Sequence, residues 1–291
     1  MSLEHLPVLV REVLDVLSPV EGGVYIDATL GLGGHSREIL KLIGREGMVL
    51  GMDRDEEALK KAGESLDDGR LVLEKCNFSD IEALLSSRGI REVDGILFDI
   101  GVSMMQLKDL KRGFSFNSDE RLDMRMDVTR DFSAWELVNR YPAKELVRIL
   151  RDYGEEYRAV RITRAIVRQR DKKSIDTCSG LAEIVSFAVG RRGRVHPATK
   201  TFQALRIEVN SELDELRQGL DLSLKVLKRG GRLCVIAYHS LEDRIVKNFI
   251  RDNARAGLLR QLFKKPVIPG MEELRRNPSS RSAKMRGAER L

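Results

Sequence analysis

The sequence predicts an α/β protein: a doubly wound, Rossmann-like parallel sheet with a mainly helical second domain inserted into it. Three observations predict this. Short apolar runs at residues 24–28, 48–52, 71–75 and 95–100 alternate with helical patterns at 36–43, 56–63 and 80–87, the rhythm of strands joined by crossover helices. The alternation stops between about residues 102 and 205, where helical patterns follow one another, and resumes at the buried run 232–238. The first run feeds a glycine cluster, Tyr25-Ile26-Asp27-Ala28-Thr29-Leu30-Gly31-Leu32-Gly33-Gly34-His35-Ser36, which has the shape of a strand, a tight turn and a helix start.

That turn and the residue that follows it at a distance carry the first chemical reading. Glycines let the backbone turn sharply and lie against a ligand. About twenty residues on, Asp53 closes the run Met48-Val49-Leu50-Gly51-Met52, where a carboxylate can take both hydroxyls of a ribose. The pattern is Gly-x-Gly-Gly, with His35 and Ser36 standing where a dinucleotide site wants its third glycine. This favours a nucleoside ligand with no phosphate to cradle, such as S-adenosylmethionine, over a nicotinamide dinucleotide. Ligands of such sheets lie beyond the carboxyl ends of the strands, so residues 31–35, Asp53, Asn77 with Phe78, and Asp99 are the positions to watch.

Within the insertion, 112–119 reads as loop, and helices are predicted near 134–140, 143–153, 155–169 and 181–189. In the third, Ala159, Ile162 and Ile166 share one face while Arg158, Arg161, Arg164 and Arg168 line another. Leu213, Leu216, Leu220 and Leu227 mark one long amphipathic helix over about 207–227, stopped by Gly230-Gly231. After strand 232–238 comes His239-Ser240, with Ser240 placed to cap a helix starting near Glu242. The last strands fall at 265–268 and 281–290. The domains so delimited are 1–107 with 206–291, and the insertion 108–205.

Composition excludes several classes. The 291 residues are 42% hydrophobic and 33% charged, enough for a core. There is no apolar run of eighteen residues to span a membrane, and residues 1–9 lack the basic-then-apolar layout of a signal peptide. Cys76, Cys178 and Cys234 are scattered and odd in number, which points to reduced thiols in a cytoplasmic protein. His5, His35, His196 and His239 show no ligand spacing, so no metal is expected. The net charge is +6, but residues 140–194 alone hold fourteen Lys/Arg against seven Asp/Glu, and the tail adds Arg275, Arg276, Arg281, Lys284, Arg286 and Arg290 against Glu289. Two basic blocks suggest a polyanion partner; solvated helix faces are the alternative.

Several phrases together resemble the ribosomal RNA small-subunit methyltransferase H family (MraW-type) from end to end. They are His5-Leu6-Pro7-Val8-Leu9, the glycine turn from Asp27 to Ser36, Arg112-Gly113-Phe114-Ser115-Phe116, Leu122-Asp123-Met124-Arg125-Met126-Asp127, the stretch from His196 to Ile207, His239-Ser240-Leu241-Glu242-Asp243-Arg244 and Asn277-Pro278-Ser279-Ser280-Arg281-Ser282-Ala283-Lys284. The resemblance implies a class I methyltransferase that moves a methyl group from S-adenosylmethionine to N4 of a cytidine in the decoding centre of 16S ribosomal RNA, acting on that RNA or on the small ribosomal subunit. It implies cofactor contacts from Gly33, Gly34 and His35, a ribose contact from Asp53, Phe78 beside the adenine, and Asp99 with Gln106 closing the pocket.

A cytosine amine is a poor nucleophile, because its lone pair is delocalised into the ring, so an acceptor for its N–H groups helps it attack. Amino-methylating enzymes often place that acceptor in an Asp/Asn-Pro-Pro-aromatic turn. Here the turn reads Asp99-Ile100-Gly101-Val102-Ser103, without the prolines or the aromatic. Asp99 is the first catalytic candidate, and His239, as acceptor or proton relay, is the second. A methyltransferase acting on DNA or protein, and a non-catalytic RNA-binding assembly factor, remain the other readings.

Overall fold

The structure, a computed structural model, describes residues 7–190 and 196–291; the leading His5-Leu6 and the arginines 191, 192 and 194 lie outside the described residues. The chain divides into two compact units, one made of the residues up to Gly101 together with Leu213–Leu291, the other of Val102–Glu212.

The first unit opens with α1 (Val10–Leu17) and then alternates: β1 (Val24–Asp27), α2 (Gly34–Leu40), β2 (Met48–Asp53), α3 (Glu56–Leu66), β3 (Leu71–Lys75), α4 (Ile81–Ser87) and β4 (Val93–Asp99). The second unit is helical: α5 (Met104–Lys108), α6 (Ala134–Arg140), α7 (Ala143–Asp152), α8 (Ala159–Arg170), α9 (Cys178–Val189) and α10 (Thr199–Asn210). The chain then forms α11 (Glu212–Val226), β5 (Leu227–Ala237), α12 (Ser240–Arg255), β6 (Leu259–Gln261), α13 (Met271–Arg276) and β7 (Lys284–Arg290).

The strands make one seven-stranded sheet in the order β3-β2-β1-β4-β5-β7-β6. The first five are parallel; β7 runs antiparallel to both its neighbours. Because side chains alternate across a strand, neighbouring residues feed opposite cores. Ile26, Leu50, Ile96, Phe98 and Val235 pack on one face with Leu216, Leu220, Val246 and Ile250. Tyr25, Val49, Leu97, Cys234 and Ile236 pack on the other with Val13, Leu17 and Ile39. Burial on both faces is why these strands read as unbroken apolar runs. The strand order reverses direction between β1 and β4, so the carboxyl ends of those two strands frame the place where a doubly wound sheet binds its ligand.

In the helical unit Leu137, Ile149, Ile162, Leu181 and Leu205 share one core. The phrase Leu122–Asp127 is tied into it by Asn210, which is buried. The Met126 N–H donates to Asn210 Oδ1 at 2.8 Å, and Asn210 Nδ2 donates to the carbonyls of Met124 and Arg206 at 2.8 and 2.9 Å. Met124 sits in the left-handed region at φ 63°, so this loop needs the clamp to hold its path.

Four sequence expectations are corrected. The long helix over 207–227 is two helices, parted at Ser211, whose φ of 52° cannot continue a helix. The strand at 265–268 is a single bridge between Val267 and Met285, while β6 at Leu259–Gln261 was missed. The helix after β5 begins at Ser240 and is capped by His239, not by Ser240. Much of the basic tail belongs to the fold: Arg286 is buried with its Nε donating to Asp243 at 2.7 Å, and Arg276 pairs with Glu272.

Candidate active site

Three adjacent parallel strands end in a carboxylate: Asp27 on β1, Asp53 on β2 and Asp99 on β4. A polar network joins two of them. Ser36 Oγ donates to Asp27 Oδ2 at 2.7 Å, and the Thr29 N–H donates to Asp27 Oδ1 at 3.3 Å. The Asp99 N–H donates to Thr29 Oγ1 at 2.6 Å. His35, 6% exposed, stands between the two acids, with Nε2 3.4 Å from Asp99 Oδ2. The other Asp99 oxygen accepts the hydroxyl of Tyr238 at 2.9 Å. An aromatic ring therefore does stand at Asp99, supplied from just past β5, where the register sets Ile236 opposite Asp99. The ring is seated by Gly101, where φ is 143° and a Cβ would come within 3.2 Å of Tyr238 Cδ2.

Asp53 holds the turn. Its Oδ2 accepts the Gly31 N–H and its Oδ1 the Asp55 N–H, both at 2.9 Å. Gly33 caps α2 at φ 74°, and a Cβ there would lie 2.3 Å from Leu66 Cδ1, so only glycine keeps this path. Phe78 is buried edge-on to Phe98, its ring centre 5.1 Å away, with the Arg54 guanidinium 5.7 Å from its centroid.

Electrostatics follow from burial. Burial pushes Asp53 up to about 6, against the pull of its two N–H donors. Asp27 is likewise raised by burial, which His35 and Ser36 only partly offset. For His35 burial opposes the charged ring, yet the hydrogen bond and charge of Asp99, with the charge of Asp27, outweigh it and raise its pKa. Tyr238 is raised by burial and by Asp99, so it stays a donor.

The sequence-predicted residues do not all play the same part. Gly33, Gly34, His35, Asp53, Phe78, Asp99 and His239 belong to the sheet unit, while Gln106 belongs to the helical unit, where its side chain closes the capping box of α5 with Ser103. His239 closes a second such box. Its Nδ1 accepts the Glu242 N–H at 3.4 Å, and Glu242 Oε2 accepts the N–H groups of Tyr238 and His239 at 2.8 and 3.2 Å. Its Nε2 lies 2.9 Å from Glu242 Oε1. Sequence reasoning missed Tyr238, Thr29 and the pairing of Ser36 with Asp27. Thr29 and Ser36 were inside the quoted turn, but only the register of β1, β4 and β5 shows what they touch.

This geometry separates the role of His239 as a cap from a role in proton transfer. Asparagine is a strong N-cap but cannot relay a proton at neutral pH. His239→Asn is expected to keep methyl transfer within about threefold of wild type, and His239→Ala to lower the melting temperature through loss of a cap worth roughly 1 kcal/mol. Steady-state rates and thermal melts on both variants check this; an inactive His239→Asn that melts normally would instead make His239 a proton carrier.

A doubly wound sheet with acids at the strand ends around its switch point, and a turn lacking the phosphate-cradling third glycine, defines a Rossmann-like methyltransferase. Carboxylates crowd the site, which suits a cationic ligand and disfavours a pyrophosphate. The chain belongs to the MraW methylase family, whose family model matches residues 2–291. It is 51% identical over 294 residues to "Ribosomal RNA small subunit methyltransferase H" of Persephonella marina, covering 99% of this chain and 100% of that protein. It is 45% identical over 305 residues to the protein of the same name from Caldicellulosiruptor bescii, covering 99% of each. A crystal structure from Clostridium thermocellum, of a candidate rRNA-methylase, is similar in fold with a TM-score of 0.50 at 13% identity, over 98% of this chain and 99% of that one.

The family's methyl donor is S-adenosylmethionine, and the residues present fit it. A Cβ on Gly31 would meet nothing closer than the Thr29 carbonyl at 4.0 Å, so the turn leaves room for a ligand beside Asp53. His35 Nδ1 is buried without a hydrogen-bond partner among the described residues, so a polar ligand atom has a place to bind.

Proposed function

We propose that the protein transfers a methyl group from S-adenosylmethionine to N4 of a cytidine in the decoding centre of 16S ribosomal RNA. The names of its relatives support small-subunit ribosomal RNA as the substrate. The observation that carries the choice of an amine is Asp99, an acceptor at the end of β4 whose first oxygen is already fixed by Tyr238.

Bound S-adenosylmethionine would supply an electrophilic methyl carbon, its sulfur leaving as a neutral thioether as the N–C bond forms in line. The protein has to hold the reacting atoms close and aligned. Asp99 accepts an N–H of the cytosine amine through Oδ2, which frees the nitrogen lone pair for attack, and the proton that the methylated nitrogen loses passes to that oxygen. Tyr238 fixes the rotation of that carboxylate, and His35 balances its charge. Gly33, Gly34 and His35 border the donor, Asp53 takes the ribose hydroxyls, and Phe78 stands beside the adenine. The insertion, 108–205, presents the RNA. His239 holds the turn that carries Tyr238. A ribosomal RNA substrate puts the reaction in the cytoplasm.

The reading is tested with methyl-labelled S-adenosylmethionine, the full chain, and unmodified small subunits or naked ribosomal RNA, digested to nucleosides afterwards. Label in N4-methylcytidine is the expected result. Label on another nucleoside overturns the acceptor; no label beside an active control favours an RNA-binding assembly factor, and label only on protein or DNA favours that class of substrate.

Asp53 also sets a pH dependence. The ionised carboxylate is the form that accepts ribose hydroxyls, and in the free protein it takes up a proton as pH falls through about 6. The Asp53 contribution to S-adenosylmethionine affinity, read as the difference between wild type and Asp53→Asn, should therefore be constant well above that pH and shrink below it, approaching tenfold per pH unit. Calorimetric titrations of both proteins between pH 5 and pH 8 check the sign; the part of the dependence left in Asp53→Asn belongs to His35 and Asp27, whose pKa values are also raised.

A further inference from the structure

The helical unit has a corner that its own packing leaves open. Phe187, near the end of α9, is 87% exposed, and Tyr157, just ahead of α8, is 76% exposed; among the described residues no other large apolar side chain is as open. Arg158 ties the two segments together. Its guanidinium lies 4.8 Å from the Tyr157 ring centre, and its Nη1 donates to the Val189 carbonyl at 2.8 Å. Arg161 reaches the same corner, its Nη2 4.0 Å from where a Cβ on Gly190 would stand. From there Arg161, Arg164 and Arg168 run along the exposed face of α8, and none of the three has an ion-pair partner among the described residues.

A single exposed aromatic is ordinary. Two of them on segments that Arg158 joins, with a row of guanidinium groups on α8 that lack ion-pair partners among the described residues, form a different surface. Open ring faces give unpaired bases somewhere to stack, which duplex bases have no need of, and a row of arginines follows a phosphate backbone. Charge and ring exposure together point to one occupant.

We propose that this corner grips a single-stranded stretch of RNA, with bases stacked on Tyr157 and Phe187 and phosphates held by Arg161, Arg164 and Arg168. The proposal rests on the ribosomal RNA reading and names the surface that would recognise the strand. Arg158, already committed to Tyr157 and Val189, stiffens the platform.

The test is fluorescence anisotropy of the full chain with a labelled single-stranded RNA oligonucleotide and with a duplex of the same sequence, across a salt series. Tyr157→Ala with Phe187→Ala is expected to weaken single-strand binding by roughly tenfold or more, to change duplex binding little, and to leave the salt slope intact. Arg161→Gln with Arg164→Gln and Arg168→Gln is expected to weaken both RNAs and to flatten the single-strand salt slope by about 2. Thermal melts matching wild type keep misfolding out of the comparison. Unchanged single-strand affinity in the aromatic variant overturns the proposal and assigns the corner to a protein partner. Equal losses on strand and duplex also overturn it, leaving a phosphate grip alone. The assay needs no methyl transfer, so a wild type that shows these binding differences but labels no ribosomal RNA would fail the function and keep the corner.

Discussion

Asp99→Ala should lower kcat by about 10²–10⁴-fold, the usual range for loss of a positioned acid–base group, while affinity for S-adenosylmethionine falls by less. The reason lies in what surrounds the carboxylate. One oxygen is held by the Tyr238 hydroxyl at 2.9 Å and the other faces His35 at 3.4 Å, so the group has little rotational freedom left. An acceptor held in place before the amine arrives costs nothing to orient at the moment of attack. Tyr238→Phe should then show an intermediate loss of about 10–100-fold in kcat, because the ring still packs against Gly101 but Asp99 loses its fixed donor. Single-turnover rates on small subunits, beside calorimetric binding of the cofactor, separate the two effects. Wild-type turnover in Asp99→Ala would remove this residue from the chemistry.

Asn210→Ala should be the most damaging change outside the sheet unit. It strands the buried Met126 N–H and the Met124 carbonyl, which the Asn210 amide satisfies at 2.8 Å each. An unsatisfied buried group costs about 1–3 kcal/mol, so a loss of roughly 2–5 kcal/mol is expected. The loop at Met124, held at a positive φ, would be released at the same time. Denaturant unfolding followed by the Trp135 fluorescence of the helical unit reads this directly; a midpoint within error of wild type would show that the loop holds without its clamp.

The parts legible in the sequence were those in which one segment reports its own environment. Buried parallel strands announce themselves as apolar runs, and the helices of the insertion by their apolar faces, so β1 to β4 and α6 to α9 fall where periodicity puts them. The break at Ser211 left no trace, because Leu213, Leu216 and Leu220 continue the apolar rhythm while the backbone reverses its φ. The strand β7 has no apolar run, because it carries Arg286 into the protein interior, where Asp243 neutralises it; only the partner explains the charge. Three-residue β6 is too short for any pattern. At the site, Asp53 and the glycine turn were visible because their spacing is local. Tyr238 was not, since its bond to Asp99 spans 139 residues and exists only through the register of β4 with β5.

The placement of β7 bears on how the molecule is born. The strand comes after every other strand in the chain, yet it lies inside the sheet, between β5 and β6. During synthesis the five parallel strands can assemble as they emerge, and with them the acids and Tyr238. Until Lys284–Arg290 follows, β5 presents a bare hydrogen-bonding edge, and β6 has no neighbour to join. An exposed edge of that kind invites pairing with other chains. The nascent protein would thus carry a nearly finished donor face on an unclosed sheet, and a premature stop anywhere before residue 284 would leave a sticky fragment rather than a smaller enzyme.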